Sequence, residues 1–248
     1  MYEKYRYLPS GDNGIIIEIG SKISEEINGK VRGLTLCIEN EKPEGVLEII
    51  PTYTSILIIY DPVIVSYYDL LKKLEEIEKR MKEITLPAPE VVHIPTCYGG
   101  EYGMDLEYVA EYNELRPEEV IKIHSERQYL VYMLGFTPGF PYLGGMSKKI
   151  ATPRLESPRE KILGGSVGIA GNQTGIYPID SPGGWRIIGR TPLNFFDPSK
   201  NPPVLLKAGQ YIKFDPIDKE EYELIKKQVE RKEYTVKKSR LKRGDFNE

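Results

Sequence analysis

Ile15, Ile17 and Ile19 alternate with other positions at the period of two that a pleated strand imposes, and the run Pro9-Ser10-Gly11-Asp12-Asn13-Gly14 before them supplies turn chemistry. Residues 4 to 19 are therefore predicted to form two strands around a turn. From Ser21 to about Glu39 the period changes: Ile23, Ile27, Val31, Leu34 and Ile38 recur every three or four residues, which places them on one helical face. Two further strands are predicted from Gly45 to Pro51 and from Ser55 to Tyr60. A second helix follows, with Tyr68, Leu71, Leu74, Ile77, Met81 and Ile84 as its apolar stripe. The order ββαββα suits an α+β domain with helices on one face of a mostly antiparallel sheet.

Leu86-Pro87-Ala88-Pro89 cannot continue a helix, because proline lacks the amide hydrogen and turns the preceding residue away from helical geometry. A domain boundary is placed there, giving an N-terminal α+β domain over residues 1–88. Val91 to Pro95 reads as a strand. Asp105 and Pro117-Glu118-Glu119 carry cap and first-turn chemistry for two short helices, the second running through Val120, Ile121 and Ile123 to His124. Tyr129 to Leu134 and a succession of short apolar runs broken by Gly and Pro then predict a small β-barrel over residues 89–217. From Asp218 the chain is highly charged. Tyr222, Ile225 and Val229 mark a surface helix, and Lys237, Lys238, Arg240, Lys242 and Arg243 a basic end read as a solvated tail, so residues 218–248 form a third segment.

Composition narrows the classes of function. A chain of 248 residues can bury two cores without metal or disulfide support. Its 34 basic and 37 acidic residues, net −3, exclude the strongly basic surface of a nucleic-acid binder. Two cysteines, Cys37 and Cys97, make no disulfide framework. No stretch approaches the ~20 apolar residues of a membrane span, and no signal peptide opens the chain; a cytoplasmic protein is expected, with no membrane partner. Two histidines, His93 and His124, without an HExxH pair or paired CxxC elements, predict no metal site.

Four segments carry candidate chemistry. In Gly135-Phe136-Thr137-Pro138-Gly139-Phe140-Pro141-Tyr142-Leu143-Gly144-Gly145, aromatics and glycines interleave around a Pro-Gly pair suited to a type II turn; the run reads either as a rigid aromatic wall for a ligand or as a barrel corner plugged by core rings. Pro153-Arg154 and Pro158-Arg159 hold two guanidinium groups on stiff extended backbone. Each can grip a carboxylate or phosphate, or pair with a neighbour such as Glu156 or Glu160. In Gly164 to Gly175, Val167 and Ile169 alternate with very small residues, so something must approach one face of that strand closely: another strand or a ligand. Asn172, Gln173 and Thr174 at its end offer amide and hydroxyl groups to a small polar substrate. Ser181-Pro182-Gly183-Gly184-Trp185 puts the only tryptophan after a second Pro-Gly turn, ahead of Arg186 and Arg190. His124 reads either as a complement to its helix dipole or as an acid/base residue, its ordinary pKa lying near neutrality.

The order of these motifs resembles the KipI/PxpB family, related to subunit 1 of allophanate hydrolase and to the carboxyltransferase domain C/D of urea amidolyases. The likeness rests on Pro95-Thr96-Cys97-Tyr98-Gly99-Gly100, Asp105-Leu106, His124, Gly135 to Gly145, Thr152-Pro153-Arg154, Pro158-Arg159, Gly165 to Gly171, Gln173-Thr174-Gly175, Tyr177-Pro178 and Ser181 through Pro192. It implies a cyclophilin-like barrel after the N-terminal domain. It also implies one component of an ATP-dependent 5-oxoprolinase, inactive alone, that opens the lactam of 5-oxo-L-proline to L-glutamate, with ATP as co-substrate of a hetero-oligomer containing PxpC/KipA-like and PxpA/LamB-like subunits. On that reading ATP phosphorylates the amide oxygen. Arg154, Arg159, Gln173, Thr174, Tyr177, Trp185 and Arg190 then contact the small anionic substrate, and His124 serves as acid or base. The alternative within the same resemblance is a KipI-like regulator that binds and inhibits a sensor histidine kinase. Prolyl isomerisation follows from the barrel alone, and a fold does not license a function.

Overall fold

The structure, a computed structural model, describes residues 2–81 and 89–240. Two strands, β1 (Arg6–Ser10) and β2 (Gly14–Glu18), meet in a tight hairpin and are followed by helix α1 (Glu25–Glu41), strands β3 (Val46–Pro51) and β4 (Ser55–Tyr60) and helix α2 (Tyr67–Arg80). The order is the predicted one, in an all-antiparallel sheet β1-β2-β4-β3. Ile15 and Ile17 pair with Ile58 and Ile56, and the four side chains meet Val31, Leu34 and Ile38 of α1 and Leu70, Leu74 and Ile77 of α2 in one buried core.

Two details differ from the sequence reading. Helix α1 begins at Glu25 because the Ser24 hydroxyl accepts the Ile27 amide as an N-cap, which leaves Ile23 outside the helix and exposed. In α2 the buried stripe is led by Leu70 in place of Leu71, and Tyr68 points to solvent. Ile84, the stretch Leu86 to Ala88 of the expected boundary, Lys242 and Arg243 lie outside the described residues.

The remaining chain is dominated by strands: β5 (Glu90–Tyr98), helices α3 (Leu106–Tyr112) and α4 (Pro117–Ser125), then β6 (Gln128–Leu134), β7 (Pro141–Gly144), β8 (Arg159–Ile162), β9 (Ser166–Ala170), β10 (Gln173–Ile176), β11 (Ser181–Gly183), β12 (Arg186–Arg190) and β13 (Tyr211–Ile217), with helix α5 (Lys219–Glu230) and β14 (Lys238–Arg240) at the end. The main sheet runs β10-β9-β12-β5-β13-β6-β7, parallel only between β5 and β13. Its two end strands, β10 and β7, pack against each other, so the sheet curls into a nearly closed barrel. Val92, Ile94, Tyr129, Val131, Val167, Ile169, Ile188, Ile212 and Phe214 fill one core. A separate ribbon of β8 and β11 stands beside the sheet.

The structure departs from the sequence reading at two further places. Pro182-Gly183 is strand and not a turn: β11 pairs with β8, and Gly183 takes no positive φ. The charged end is not a solvated tail over its described part. Tyr222 and Ile225 of α5 are buried, and β14 pairs with β5 while His93 on that strand hydrogen-bonds both Asp215 (2.8 Å) and Ser239 (3.0 Å). By its internal packing the chain divides into the units Met1–Pro87 and Ala88–Glu248.

Candidate functional site

The loop between β6 and β7 folds on itself through three backbone bonds, Gly135 N to Phe140 O, Thr137 N to Gly135 O and Phe140 N to Thr137 O. Gly139 supplies the positive φ, +83°, that the Pro138-Gly139 turn requires. This buries Phe140, whose ring meets Tyr142, Tyr177 and Trp185 edge-to-face at centroid distances of 5.4, 6.0 and 5.8 Å. Phe140 therefore matches the corner-plug reading of the aromatic run, and Phe136, Tyr142, Tyr177 and Trp185 stand around it.

The glycine face of the β9–β10 hairpin accommodates the indole. A Cβ on Gly175 would stand 2.9 Å from the Trp185 ring, and one on Gly168 3.2 Å from the Trp185 Cβ. The close approach is shared between the Trp185 side chain and the paired strand β12, whose Arg186 carbonyl would stand 3.1 Å from a Cβ on Gly168, and the indole also lines a cavity of about 330 Å³. Phe136, Tyr142 and Tyr177 complete the aromatic lining, Pro182, Gly183 and Gly184 add backbone, and Arg154 and Gln173 are the polar groups.

Arg154 is exposed, its guanidinium carbon 5.9 Å from the Trp185 ring, and among the described residues it has no carboxylate within ion-pair distance. Arg159 behaves differently. It grips Asp105 with two bonds of 2.8 and 2.9 Å and also donates to the Trp185 carbonyl at 3.3 Å. Asp105 in turn accepts the Ile187 amide at 2.6 Å. The carboxylate expected to cap α3 makes no capping bond to that helix, because a bidentate guanidinium and a strand amide already occupy it. The pair thus clasps the backbone on both sides of Arg186, and Leu155 N bonds Gly184 O at 2.7 Å, tying the Arg154 segment to the Trp185 segment.

Of the residues named from sequence, the structure brings Arg154, Gln173, Tyr177 and Trp185 together at the cavity. Arg159 lies behind the wall in the clasp. Arg190 donates to the Gly164 carbonyl at 3.0 Å and braces the turn before β9. Thr174 is buried, donating to Gly168 O (3.1 Å) and meeting His124 Nε2 (2.8 Å). His124 itself has no solvent access. Its Nδ1 meets the Tyr98 hydroxyl at 2.8 Å. Since the Thr174 hydroxyl proton goes to Gly168, the ring must donate from Nε2 and accept at Nδ1, a neutral tautomer with both nitrogens satisfied. Burial lowers its pKa to about 3. A neutral imidazole complements no helix dipole, and a sealed one exchanges no proton with a ligand in the cavity. Sequence reasoning missed the anchoring role of Asp105 and the wall formed by residues 182–184. Asp105 is visible in the Asp105-Leu106 motif, but its partner Arg159 is 54 positions away.

Among the described residues no cluster of three or more His, Cys, Asp or Glu is arranged to hold a metal, and no helix is long and apolar enough to cross a membrane. Fold and cavity together define a class: a nearly closed β-barrel carrying a small aromatic-walled cavity with a cation that has no carboxylate partner among the described residues. The chain belongs to the family of the carboxyltransferase domain, subdomain C and D, whose profile matches residues 5–206. It is 47% identical over 240 residues to the B component of the 5-oxoprolinase of Bacillus subtilis, covering 92% of this chain and 99% of that one. A conserved uncharacterized protein of Pyrococcus horikoshii is 52% identical in its crystal structure, covering 88% of this chain and all of the other, with a TM-score of 0.53. The urea carboxylase of Kluyveromyces lactis, 21% identical, shares the fold over 95% of this chain and 24% of its own, with a TM-score of 0.73.

Proposed function

We propose that this chain is the corresponding component of an ATP-dependent 5-oxoprolinase and that the aromatic cavity receives the anionic lactam. The observation that carries the assignment is its end-to-end likeness to the B. subtilis 5-oxoprolinase component, at a level of identity where fold and site travel together. The cavity has matching chemistry. A carboxylate needs a cation that is not already neutralised, and Arg154 is such a group. Gln173 offers a donor and an acceptor to the planar amide, and the rings offer an apolar wall to the methylenes.

In this reading the barrel is cyclophilin-like and follows an independent N-terminal domain, and the protein works in the cytoplasm. ATP is the co-substrate of the assembled complex. PxpC/KipA-like and PxpA/LamB-like subunits supply the remaining machinery, so the chain alone has no turnover. Arg154, Gln173, Tyr177 and Trp185 touch the substrate, while Arg159 and Arg190 hold the walls. The kinase-inhibitor alternative is not favoured, because the full-length relative bears the name of an enzyme component. The test is ATP hydrolysis dependent on 5-oxoproline in a mixture of the two partner subunits, with and without this chain. Activity only in its presence is expected; silence from a complex that assembles from folded subunits would sink the assignment.

A further inference from the structure

One residue of the cavity wall is held at a conformational cost that its own packing does not offset. Phe136 has φ +61°, and the amide after it bonds the carbonyl before it at 2.7 Å, so Phe136 is the apex of a γ-turn in the left-handed region. That turn is rare and strained, and a bulky side chain is a poor occupant of positive φ where glycine or asparagine would be at ease. The same turn carries a second cost, since the Thr137 hydroxyl is buried without a hydrogen-bond partner among the described residues. Packing offers little in return: the Phe136 side chain is 72% exposed and meets Phe140 only edge-on at 5.7 Å. Phe140, four residues on, already serves as the plug of this corner. Strain of this kind concentrates where backbone aims a side chain at a ligand.

We propose that Phe136 is a specificity-determining residue of the cavity, a fixed lid whose ring covers the apolar ring carbons of a bound lactam acid while Arg154 holds the carboxylate. This rests on the oxoprolinase reading and adds to it the group that measures the substrate's ring. The turn is rigid: Gly135 and Phe140 close it by a backbone bond, and the Pro138-Gly139 turn fixes its far side. The lid is thus preorganised, and a lactam acid with one more ring methylene would meet the phenyl group.

The test uses the complex assembled with the wild-type chain, Phe136→Gly and Phe136→Leu, measuring KM and kcat for 5-oxoproline and for its six-membered homologue, 6-oxopiperidine-2-carboxylate. Co-purification with the partner subunits and the unfolding temperature of each chain are measured alongside. Phe136→Gly is expected to raise KM for 5-oxoproline about tenfold, the loss of roughly two buried methylene contacts, and to narrow the preference for the five-membered ring. It should unfold at the wild-type temperature or above, because glycine relaxes the turn, and still assemble. Phe136→Leu should recover most of the affinity. Unchanged KM and ring preference in Phe136→Gly, with an active wild type, would overturn the lid alone. Failure of that variant to assemble would make Phe136 a contact with a partner subunit and also overturn it. No turnover by the wild-type complex would remove the oxoprolinase reading and the lid with it.

Discussion

Arg154 and Arg159 have the same local sequence, each following a proline, and opposite circumstances. Arg159 is spent on Asp105, whereas Arg154 stands over an indole with no anion of its own among the described residues. Replacing Arg154 by Ala should therefore cost binding and not stability. A charge-assisted hydrogen bond contributes about 1.5–3 kcal/mol, so KM for the anionic substrate should rise roughly ten- to a hundredfold while the unfolding temperature stays put. Lysine should recover only part of the affinity, because it keeps the charge and loses the planar fork; steady-state kinetics of the complex with both variants decides this. His124 makes the converse prediction. Its folded pKa of about 3 lies below the ordinary 6.5, so between those values the unfolded chain binds a proton that the folded chain refuses. The stability this group contributes is full above pH 6.5 and is lost as pH falls towards 3, by about 1.4 kcal/mol per pH unit. Urea unfolding at about pH 7, 6, 5 and 4 should show a shallower decline in His124→Gln than in the wild type. An identical decline would mean that the imidazole protonates in the native state.

The clasp between the start of α3 and the start of β12 is a device of elements more than of single residues, since Asp105 and Arg159 act on the backbone that carries Trp185. Asp105→Asn leaves a mostly buried guanidinium without its counter-charge, and breaking a buried pair in this way costs about 3–5 kcal/mol. The diagnostic readout is optical. Trp185 is the only tryptophan, so its emission should shift to the red as the clasp loosens. Arg159→Met combined with Asp105→Leu should recover more stability than either single change, because no unpaired charge remains; additive losses in the double variant would count against the clasp. The same elements show which features are legible in advance. Strand β2 and helix α1 announce themselves by period, because burial on one face is a local constraint on sequence, and β4 by its continuous run of β-rich apolar residues. The ribbon of β8 and β11 reads as a turn in sequence because Pro182-Gly183 satisfies turn chemistry locally, while its pairing partner lies some twenty residues upstream. Strand β14 reads as solvated because a Lys- and Arg-rich edge strand has the composition of a tail. Of the site, Arg154, Gln173 and Trp185 are legible as residue types set beside Gly and Pro, and Tyr177 enters through the family resemblance alone. Which arginine is free and which is paired depends on a contact 54 positions away that no local pattern encodes.

At the scale of the whole molecule, every side chain that lines the cavity and every bond that braces it belongs to the unit Ala88–Glu248. The clasp partners Asp105 and Arg159, the Phe140 plug and the Gly168 and Gly175 shelf all lie within it, as does the His124 network behind the shelf. Its barrel core is continuous from Val92 to Ile225, large enough to stand without further support, and β14 covers part of the β5 edge. The other unit has its own isoleucine-rich core, closed by two helices on one sheet face. A fragment comprising residues 88–248 should therefore fold alone, give the Trp185 emission maximum of the full chain, and bind 5-oxoproline with a Kd within about threefold of the intact protein, since truncation removes none of the roughly 1.4 kcal/mol that each tenfold in affinity requires. Fluorescence titration of the two proteins side by side measures this directly. A fragment that folds, with native emission and cooperative melting, yet fails to bind what the full chain binds would show that residues 1–87 complete the site. Equal affinity would show that binding needs nothing from residues 1–87.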